Sequence, residues 1–483
     1  MEYPRALPKG WSSPAAAIGI AVAATLAAIS SWLSSFWVAG ILGSILLFLL
    51  LIHFPRVYVY VYVVLGLLSN SALQYLDNFR FSSASGSSAN IVGIFWTLNV
   101  PTFLAYTIWQ RKRFWKSRVY RPFLILILLA LPAIFLSSGW ENGLHNWIHL
   151  TGAICLSLIL FWNIRDRAQA MQTFRHIVLI FAAVMATGFY QLATGTGSYD
   201  YASQTYRLSG TYGFGGEVSY AVLLLYLSCL TAPLVMERTG LRGAAILVFA
   251  SSTFLLVASQ SRAPLLAFLV AAGAMLSKSA IKLRYWVALL IVILGAAQLS
   301  PRVYARFGGP LLSAHTKFWQ DQELSVNATQ RMATWVMLYG EFVDRRTILV
   351  GHGFGFVDNY LFNDLRDSPY SPAVHNEYLR LLLDVGIAGV LLLLWQLSIL
   401  YRVGSRNLTG KNDPLARSFG TSLCGMVVAF AVVALTSNMY GVGAQYEVFW
   451  VFAGLMLSAA RWRATGMEDG CRNATASRHP QTT

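Results

Sequence analysis

Three side chains suited to anion binding and proton transfer lie far apart in a strongly apolar chain. Arg207 is followed by Leu-Ser-Gly, Arg262 lies in the stretch ASQSRAPLL, and His375 lies in the stretch AVHNEYL. Guanidinium groups form paired hydrogen bonds with phosphate oxygens. A neutral imidazole can accept a proton from a hydroxyl group. These residue types indicate a site that holds a phosphate and activates a hydroxyl, if the fold brings them to one side.

The composition predicts an all-α polytopic membrane protein. Of 483 residues, 56% are hydrophobic and 12% are charged, and the mean hydropathy is +0.55. A soluble protein carries about a quarter charged residues, so a soluble secreted enzyme is excluded. The stretch VYVYVYVV alternates like a strand, but a lone strand would leave its backbone unpaired in lipid, so a helix is predicted. About fourteen spans are expected, at 14–33, 36–54, 57–76, 90–110, 122–140, 146–164, 177–194, 219–236, 244–261, 263–277, 285–300, 387–401, 419–437 and 446–460.

The distribution of positive charge predicts the topology. With the N-terminus in the cytoplasm, most of the 36 Lys and Arg residues fall in cytoplasmic loops and termini, as the positive-inside rule requires. The basic patches are therefore assigned to topology and lipid headgroups, and no nucleic acid is expected. The sequence predicts one integral membrane domain (1–483), a large helical periplasmic loop (301–375) and a disordered cytoplasmic tail (461–483).

The same topology places Arg207 and Arg262 in short outer loops, against the charge bias. An arginine beside the hydrocarbon edge needs an anionic partner. For Arg262 the alternatives are a lipid phosphate and a substrate phosphate, and Ser261 is predicted to cap the helix that follows. For Arg207 the alternatives are a solvated side chain in a flexible loop and an anion site at the start of the next helix.

The segment around His375 predicts a helix with two distinct faces. Ser371 and Pro372 have the form of an N-cap and first helical residue, which places His375 in the first turn, where the helix dipole favours a neutral imidazole. The alternatives for His375 are a general base and an interfacial histidine bonded to backbone or water. Three charged residues share the other face and can pair as a solvated or structural group: Glu377, Arg380 and Asp384.

Two other patterns are less informative. GHGFGF (351–356) lacks the spacing of a dinucleotide fingerprint and is interpreted as a turn that approaches a ligand closely. Glu141, His145 and His149 share a helical face that could ligate a metal, but an interfacial position explains them better. No metal and no cofactor are expected. No Asp, Glu or Lys is found in the middle of a span, which argues against an ion-coupled pump.

The chemistry that these residues suggest is transfer from a lipid-pyrophosphate donor to a hydroxyl acceptor at the outer boundary of the membrane. Cationic side chains would stabilise the leaving pyrophosphate. Two rivals remain. A lipid or glycan transporter would need a polar path through the spans, and a receptor would only bind saccharide with its outer loop.

The sequence resembles the superfamily of O-antigen ligases and polymerases between about 200 and 460. The matching motifs are RLSG (207–210), QSR (260–262), Arg331 before Trp335, GHGFG, and HNEYLRLLLDVGIAG. The resemblance implies a GT-C-like membrane fold in the bacterial inner membrane with a periplasmic active site, and the charge count above predicts that both termini are cytoplasmic. It implies metal-independent, inverting glycosyl transfer from an undecaprenyl-pyrophosphate-linked oligosaccharide.

The resemblance also implies the roles of individual residues. Arg207 and Arg262 would hold the pyrophosphate and His375 would act as base toward the acceptor hydroxyl. Further contacts to substrate are expected from Arg331, Gly210, Asn376 and Tyr206. The acceptor is either a second lipid-linked glycan, as in a polymerase for O-antigen or exopolysaccharide, or lipid A-core, as in a ligase of lipopolysaccharide biosynthesis. The number of spans and the long loop favour the polymerase. Membrane lipid and other polysaccharide-assembly proteins are the further partners expected.

Overall fold

A computed structural model describes most of the chain. The described residues are 35–68, 81–82, 88–89, 91–112, 117–137, 139–200, 205–212, 217–237, 239–277, 326–361, 374–407, 413–437, 439 and 443–476. The predicted spans at 14–33 and 285–300, and Ser371 and Pro372, lie outside these residues. Every other predicted span overlaps a helix, including VYVYVYVV.

Helices dominate the described chain. In order they are α1 Ser35–His53, α2 Pro55–Leu68, α3 Ile91–Trp109, α4 Arg121–Ile134, α5 Trp140–Asn163, α6 Arg167–Thr194, α7 Glu217–Met236, α8 Arg242–Ala258, α9 Arg262–Leu276, α10 Val326–Phe342, α11 Arg345–Val350, α12 Phe356–Asn359, α13 Glu377–Val385, α14 Ile387–Asn407, α15 Pro414–Ala434 and α16 Gly443–Ala476. The described part of the predicted outer loop is helical, as expected. Helix α16 continues to Ala476, and the disordered tail expected from residue 461 stays a prediction.

Two short antiparallel ribbons depart from the predicted all-α class. Strand β1 (Phe81–Ser82) pairs with β2 (Ser88–Ala89), and β3 (Ser198–Asp200) pairs with β4 (Thr205–Arg207). A 3-10 turn, Gly210–Tyr212, follows β4. Hairpins this short have no apolar periodicity, so the sequence pattern does not predict them.

Five of the described helices are long and apolar enough to cross a membrane: α5, α6, α7, α14 and α15. Five shorter apolar segments lie within α1, α2, α4, α8 and α9. The chain is therefore a largely helical membrane protein, whereas the count of about fourteen spans and the GT-C-like assignment stay predictions.

Helix α7 forms the centre of the bundle, since every residue from Ser219 to Leu234 is buried. The hydroxyls of Ser418 and Ser422 on α15 donate to the carbonyls of Pro233 and Leu230 on α7, so these two helices run antiparallel. Helices α14 and α15 approach closely because glycines meet at their contact. A Cβ on Gly404 would lie 2.8 Å from the carbonyl oxygen of Gly420.

The ends of the helices define two ends of the bundle. At the "basic end", Arg56 donates to Gln172, Arg417 pairs with Glu237, and Arg461 donates to the carbonyls of Phe161 and Trp162.

The opposite "motif end" carries Arg207, Arg262, Arg331 and His375. It lies where α6, α8 and α15 end and where α7, α9 and α14 begin. This separation agrees with the predicted charge bias.

Candidate active site

His375 is held between two anchored neighbours. The carbonyl of Val374, which is fully buried, accepts a hydrogen bond from the indole of Trp335 on α10. On the other side, the side-chain oxygen of Asn376 accepts from the backbone N–H of Leu379 (3.1 Å) and caps α13. His375 itself has φ +49°, in the left-handed region that non-glycine residues seldom occupy. Such conformations concentrate at functional sites.

The predicted start of this helix is wrong. The N-cap is Asn376, and α13 begins at Glu377, so His375 precedes the helix and does not lie in its first turn. A capping asparagine is as good a helix start as a serine. Asn376 therefore has a structural role, and its expected contact with substrate stays a prediction.

The imidazole of His375 is neutral at physiological pH for a different reason than the helix dipole. Burial, followed by the positive charge of Arg331, lowers its pKa from 6.5 to about 4. The Arg331 guanidinium donates to the carbonyl of Thr436, just after α15, at 3.4 Å. The structure thus brings His375 and Arg331 together and ties both to the end of α15. The Tyr378 hydroxyl adds a further tie by donating to the Ala431 carbonyl (3.0 Å).

The charged face of α13 is paired as predicted, but it is buried and not solvated. Arg380 lies 3.8 Å from a carboxylate oxygen of Glu377 and 3.8 Å from one of Asp384. It also lies 2.9 Å from Asp358 on α12, a partner that the sequence spacing does not reveal. All three α13 side chains are at most 1% exposed. Pairing makes such burial tolerable, because an isolated buried charge is very costly.

This network fixes α13 to the rest of the bundle. Asp384 accepts from the backbone N–H groups of Gly355 and Val357, each at 3.1 Å. Glu377 accepts from the backbone N–H of Met439 at 2.6 Å. Asn146 on α5 donates to Asp358 at 2.8 Å. The segment 355–358 and Met439 therefore hold the helix that follows His375 directly, and Asn146 holds Asp358 in place.

The GHGFGF turn approaches the backbone of this protein. Gly351, Gly353 and Gly355 all have positive φ, and a Cβ on any of them would lie within 2.6 Å of backbone atoms. The N–H groups of His352 and Gly353 donate to carbonyls at the end of α13. These glycines let the turn pack against α4, α5 and α13, so the structure gives them a packing role.

Arg207 ends strand β4 and is half-buried. The turn that follows it is fixed by Gln191 on α6, whose side-chain oxygen accepts from the N–H groups of Ser209 (3.0 Å) and Gly210 (2.9 Å). Gly210 has φ +56°, and a Cβ there would lie 2.3 Å from the ring of Tyr220. Gly210 is thus required by packing. Tyr206, which precedes Arg207, is 53% exposed at the surface of the motif end.

Arg262 is exposed at the first residue of α9. Ser261 is the N-cap residue, as predicted, but its side chain makes no capping hydrogen bond. Helix α9 packs on α15, with Met275 against Gly425. It follows α8, which runs antiparallel to α7 with Ser252 against Ser228 and so ends at the motif end. Arg262 therefore lies at the same end as Thr436 and Arg331.

The sequence reading missed a buried pair in the bundle. His149 Nδ1 lies 3.1 Å from a carboxylate oxygen of Glu447, which is 3% exposed near the start of α16. The His149 ring also packs against the rings of Trp96 and His145. Glu447 lies at the edge of a predicted span, where its burial could not be read from hydropathy. Within the described residues no group of three His, Cys, Asp or Glu side chains could hold a metal ion.

The comparisons with known proteins agree with the motifs. Residues 245–394 match the family model described as O-Antigen ligase. The match includes Arg262, Arg331, His375 and Asn376, and it confirms the resemblance to the superfamily of O-antigen ligases and polymerases. Arg207, Gly210 and Tyr206 precede the matched segment. No curated protein matches the chain at a significant level.

Proposed function

We propose, from the match to the O-antigen ligase family, that this chain transfers a glycan from an undecaprenyl-pyrophosphate carrier to a hydroxyl acceptor at the motif end. The observation that carries the proposal is the half-buried, neutral His375 beside Arg331, at the end of the bundle that also holds Arg207 and Arg262. A neutral imidazole accepts a proton, and guanidinium groups hold pyrophosphate.

The reaction follows from these roles. The acceptor hydroxyl attacks the anomeric carbon of the donor sugar, the bond from that carbon to the pyrophosphate oxygen breaks, and the configuration inverts. The hydroxyl proton passes to His375. Arg207 and Arg262 stabilise the negative charge that develops on the leaving pyrophosphate, the kind of stabilisation that contributes most when it is organised in advance. No step needs a metal ion.

The low pKa of His375 fits a base that works only when the donor is bound. A group with a pKa of about 4 is a weak base in the free protein. A bound pyrophosphate would offset the charge of Arg331 and raise the pKa of His375 toward neutrality, where general-base catalysis is most effective. The base would then be strengthened by the substrate itself.

The acceptor separates two candidate functions. Polymerisation of lipid-linked repeat units is the first, as the sequence predicts. Ligation to lipid A-core is the second, and the description of the matching family favours it. Both place the site on the periplasmic side of the inner membrane.

Reconstitution of the purified protein in lipid vesicles tests the proposal. Lipid-linked repeat units alone should give a ladder of longer products if the chain is a polymerase. If it is a ligase, products should form only when lipid A-core is added. Both reactions should persist with a chelator present. Failure to form any product with either acceptor would contradict the proposed function, and inhibition by the chelator would contradict metal independence.

A further inference from the structure

The turn between α8 and α9 contains polar groups that the fold does not use. Ser259, Gln260 and Ser261 connect the two helices, and each is at most 5% exposed. Ser259 donates to the carbonyl of Leu256 at 2.7 Å, as a buried hydroxyl should. Within the described chain, Gln260 Oε1 and Ser261 Oγ are buried without a hydrogen-bond partner. Leaving such atoms unsatisfied is costly, so their retention calls for an explanation.

The sequence that follows Ser261 removes one of the two usual donors to an N-cap hydroxyl, and Ser261 makes no capping hydrogen bond. An N-cap hydroxyl usually accepts from the N–H of the second or third helical residue. Pro264, the third residue of α9, has no N–H to donate. The Ser261 hydroxyl thus stands at the start of a helix of 15 residues, next to Arg262, without the bond that would normally occupy it.

Gln260 also adopts a costly backbone conformation. Its φ is +57°, a region where glycine is the usual residue. A glycine would remove both the strain and the unsatisfied side-chain oxygen. A glutamine at this position makes the fold less stable than it could be, and features of this kind cluster where a ligand is bound.

The two groups differ in what they can bind. The Ser261 hydroxyl can donate to a phosphate oxygen, as can the Arg262 guanidinium beside it. Gln260 Oε1 can only accept, and an ionised phosphate offers only acceptors. The partner of this oxygen must therefore be a hydrogen-bond donor, such as a hydroxyl or an amide N–H. The nearest such groups on the proposed donor belong to the sugar attached to the pyrophosphate.

We propose that the Ser259–Arg262 turn is a subsite for the junction between pyrophosphate and sugar, in which Ser261 binds the phosphate and Gln260 selects a sugar with a hydrogen-bond donor. The inference rests on the proposed function and adds a specificity residue to it. A site that bonds a substrate donor rejects an analogue without that donor strongly, because the protein acceptor is then left unpaired.

Two probes separate the parts of this subsite. Farnesyl pyrophosphate carries the charge without a sugar, and farnesyl-pyrophosphate-linked N-acetylglucosamine carries both. Binding of each to the full-length protein in nanodiscs can be measured by native mass spectrometry. Q260M keeps the volume and the strained backbone but lacks the amide. This substitution should lower the affinity for the sugar-bearing probe about tenfold or more, and the affinity for the sugarless probe less than about twofold. S261A should weaken both probes.

A stability measurement distinguishes binding from a structural role. Q260G relieves the strain and removes the unsatisfied oxygen, so its unfolding temperature should rise by about 1–3 °C while sugar-dependent binding is lost. If Gln260 merely supported the turn, the unfolding temperature of Q260G would fall. Three results would each overturn the role of Gln260. They are a lower unfolding temperature in Q260G, an equal loss of binding of both probes in Q260M, and no loss of binding in Q260M. Binding of both probes by S261A as by the wild type would overturn the role of Ser261.

The outcome for the wild type keeps the two proposals apart. If the wild type binds both probes and Q260M does the same, only the subsite is wrong. If the wild type binds neither probe, the proposed function fails together with the subsite.

Discussion

The two ends of the bundle use positive charge in opposite ways. At the basic end, burial and the nearby charges of Arg461 and Arg165 lower the pKa of Lys112. At the motif end cations are fewer in the short loops, and two of the described ones have defined partners, Arg380 with three carboxylates and Arg331 with a carbonyl. Charge accumulates at the first end, where Arg417 and Arg461 nevertheless also have partners, whereas the charges of Arg380 and Arg331 at the second end are positioned.

The two ends show two ways in which the sequence determines where positive charge lies in the folded chain. Accumulated charge follows the positive-inside bias and depends on the number of Lys and Arg residues in a loop. Positioned charge depends on packing, because each group is held by partners from other helices. Substitutions at the motif end should therefore act on chemistry, and matched substitutions at the basic end should not.

The largest expected effect is at His375. H375A removes the proposed base and should lower turnover by about 10²–10⁴-fold, the range for general-base catalysis. Product formation by the reconstituted protein measures it, with the unfolding temperature as a check on folding. H53A is the matched control at the basic end, where the histidine is exposed. Near-normal turnover in H375A would remove the base assignment.

A smaller loss is expected at Arg262. R262K keeps the charge but loses the paired geometry that pyrophosphate prefers, so kcat/KM should fall about 10- to 100-fold. R402K, an exposed arginine near the end of α14, serves as the control and should stay within about twofold of the wild type. Equal effects in the two variants would mean that geometry at the motif end does not matter.

The pH dependence of the free protein should change with Arg331. The neutral imidazole of His375 is the active form, so kcat/KM should hold as pH falls until it nears the pKa of about 4. In R331Q the positive charge is gone and the pKa rises toward 6.5, although burial keeps it lower. The acid limb of the pH profile of kcat/KM should therefore move to higher pH in R331Q. An unmoved limb would show that Arg331 does not act on His375.

The buried network on α13 should affect stability more than a surface cap. D384A leaves two backbone N–H groups without an acceptor and takes a partner from Arg380, at a cost of about 3 kcal/mol or more. D344A removes the exposed N-cap of α11 and should cost only about 1 kcal/mol. Thermal unfolding followed by tryptophan fluorescence compares them. Equal losses would mean that burial adds nothing to the pairing.

The smallest effect is expected at the basic end. R461Q removes a cation that donates to the carbonyls of Phe161 and Trp162, and glutamine can keep one of these bonds. Turnover should stay within about twofold, since the residue is remote from the proposed chemistry. A loss comparable to that of R262K would end the distinction between the two ends.

Much of the helical architecture could be read from the sequence. Hydropathy located the helices, including VYVYVYVV, because a backbone in lipid must satisfy its own hydrogen bonds. The spacing of Glu377, Arg380 and Asp384 predicted their pairing, since it depends only on helix geometry. The separation of the basic end from the motif end followed from counting charges.

The sequence could not show what depends on contacts between distant segments. Asp358 joins Arg380, and Met439 joins Glu377, across separations that no local pattern encodes. The left-handed conformations of His375 and Gln260 are imposed by their neighbours, and nothing in their residue type predicts them. The start of α13 was misplaced because Ser371 and Pro372 have the form of a helix start, whereas Asn376 caps the helix that forms.

The most direct test of the central claim is to find which end binds the donor. A photoreactive polyprenyl-pyrophosphate glycan, cross-linked to the purified protein and mapped by mass spectrometry, would report its contacts. Adducts should fall at the motif end, in 205–212, 259–262 and 374–376, and should disappear with excess unlabelled donor. Adducts that are competed away from the basic end, around Arg56, Arg165 and Arg461, would contradict the account.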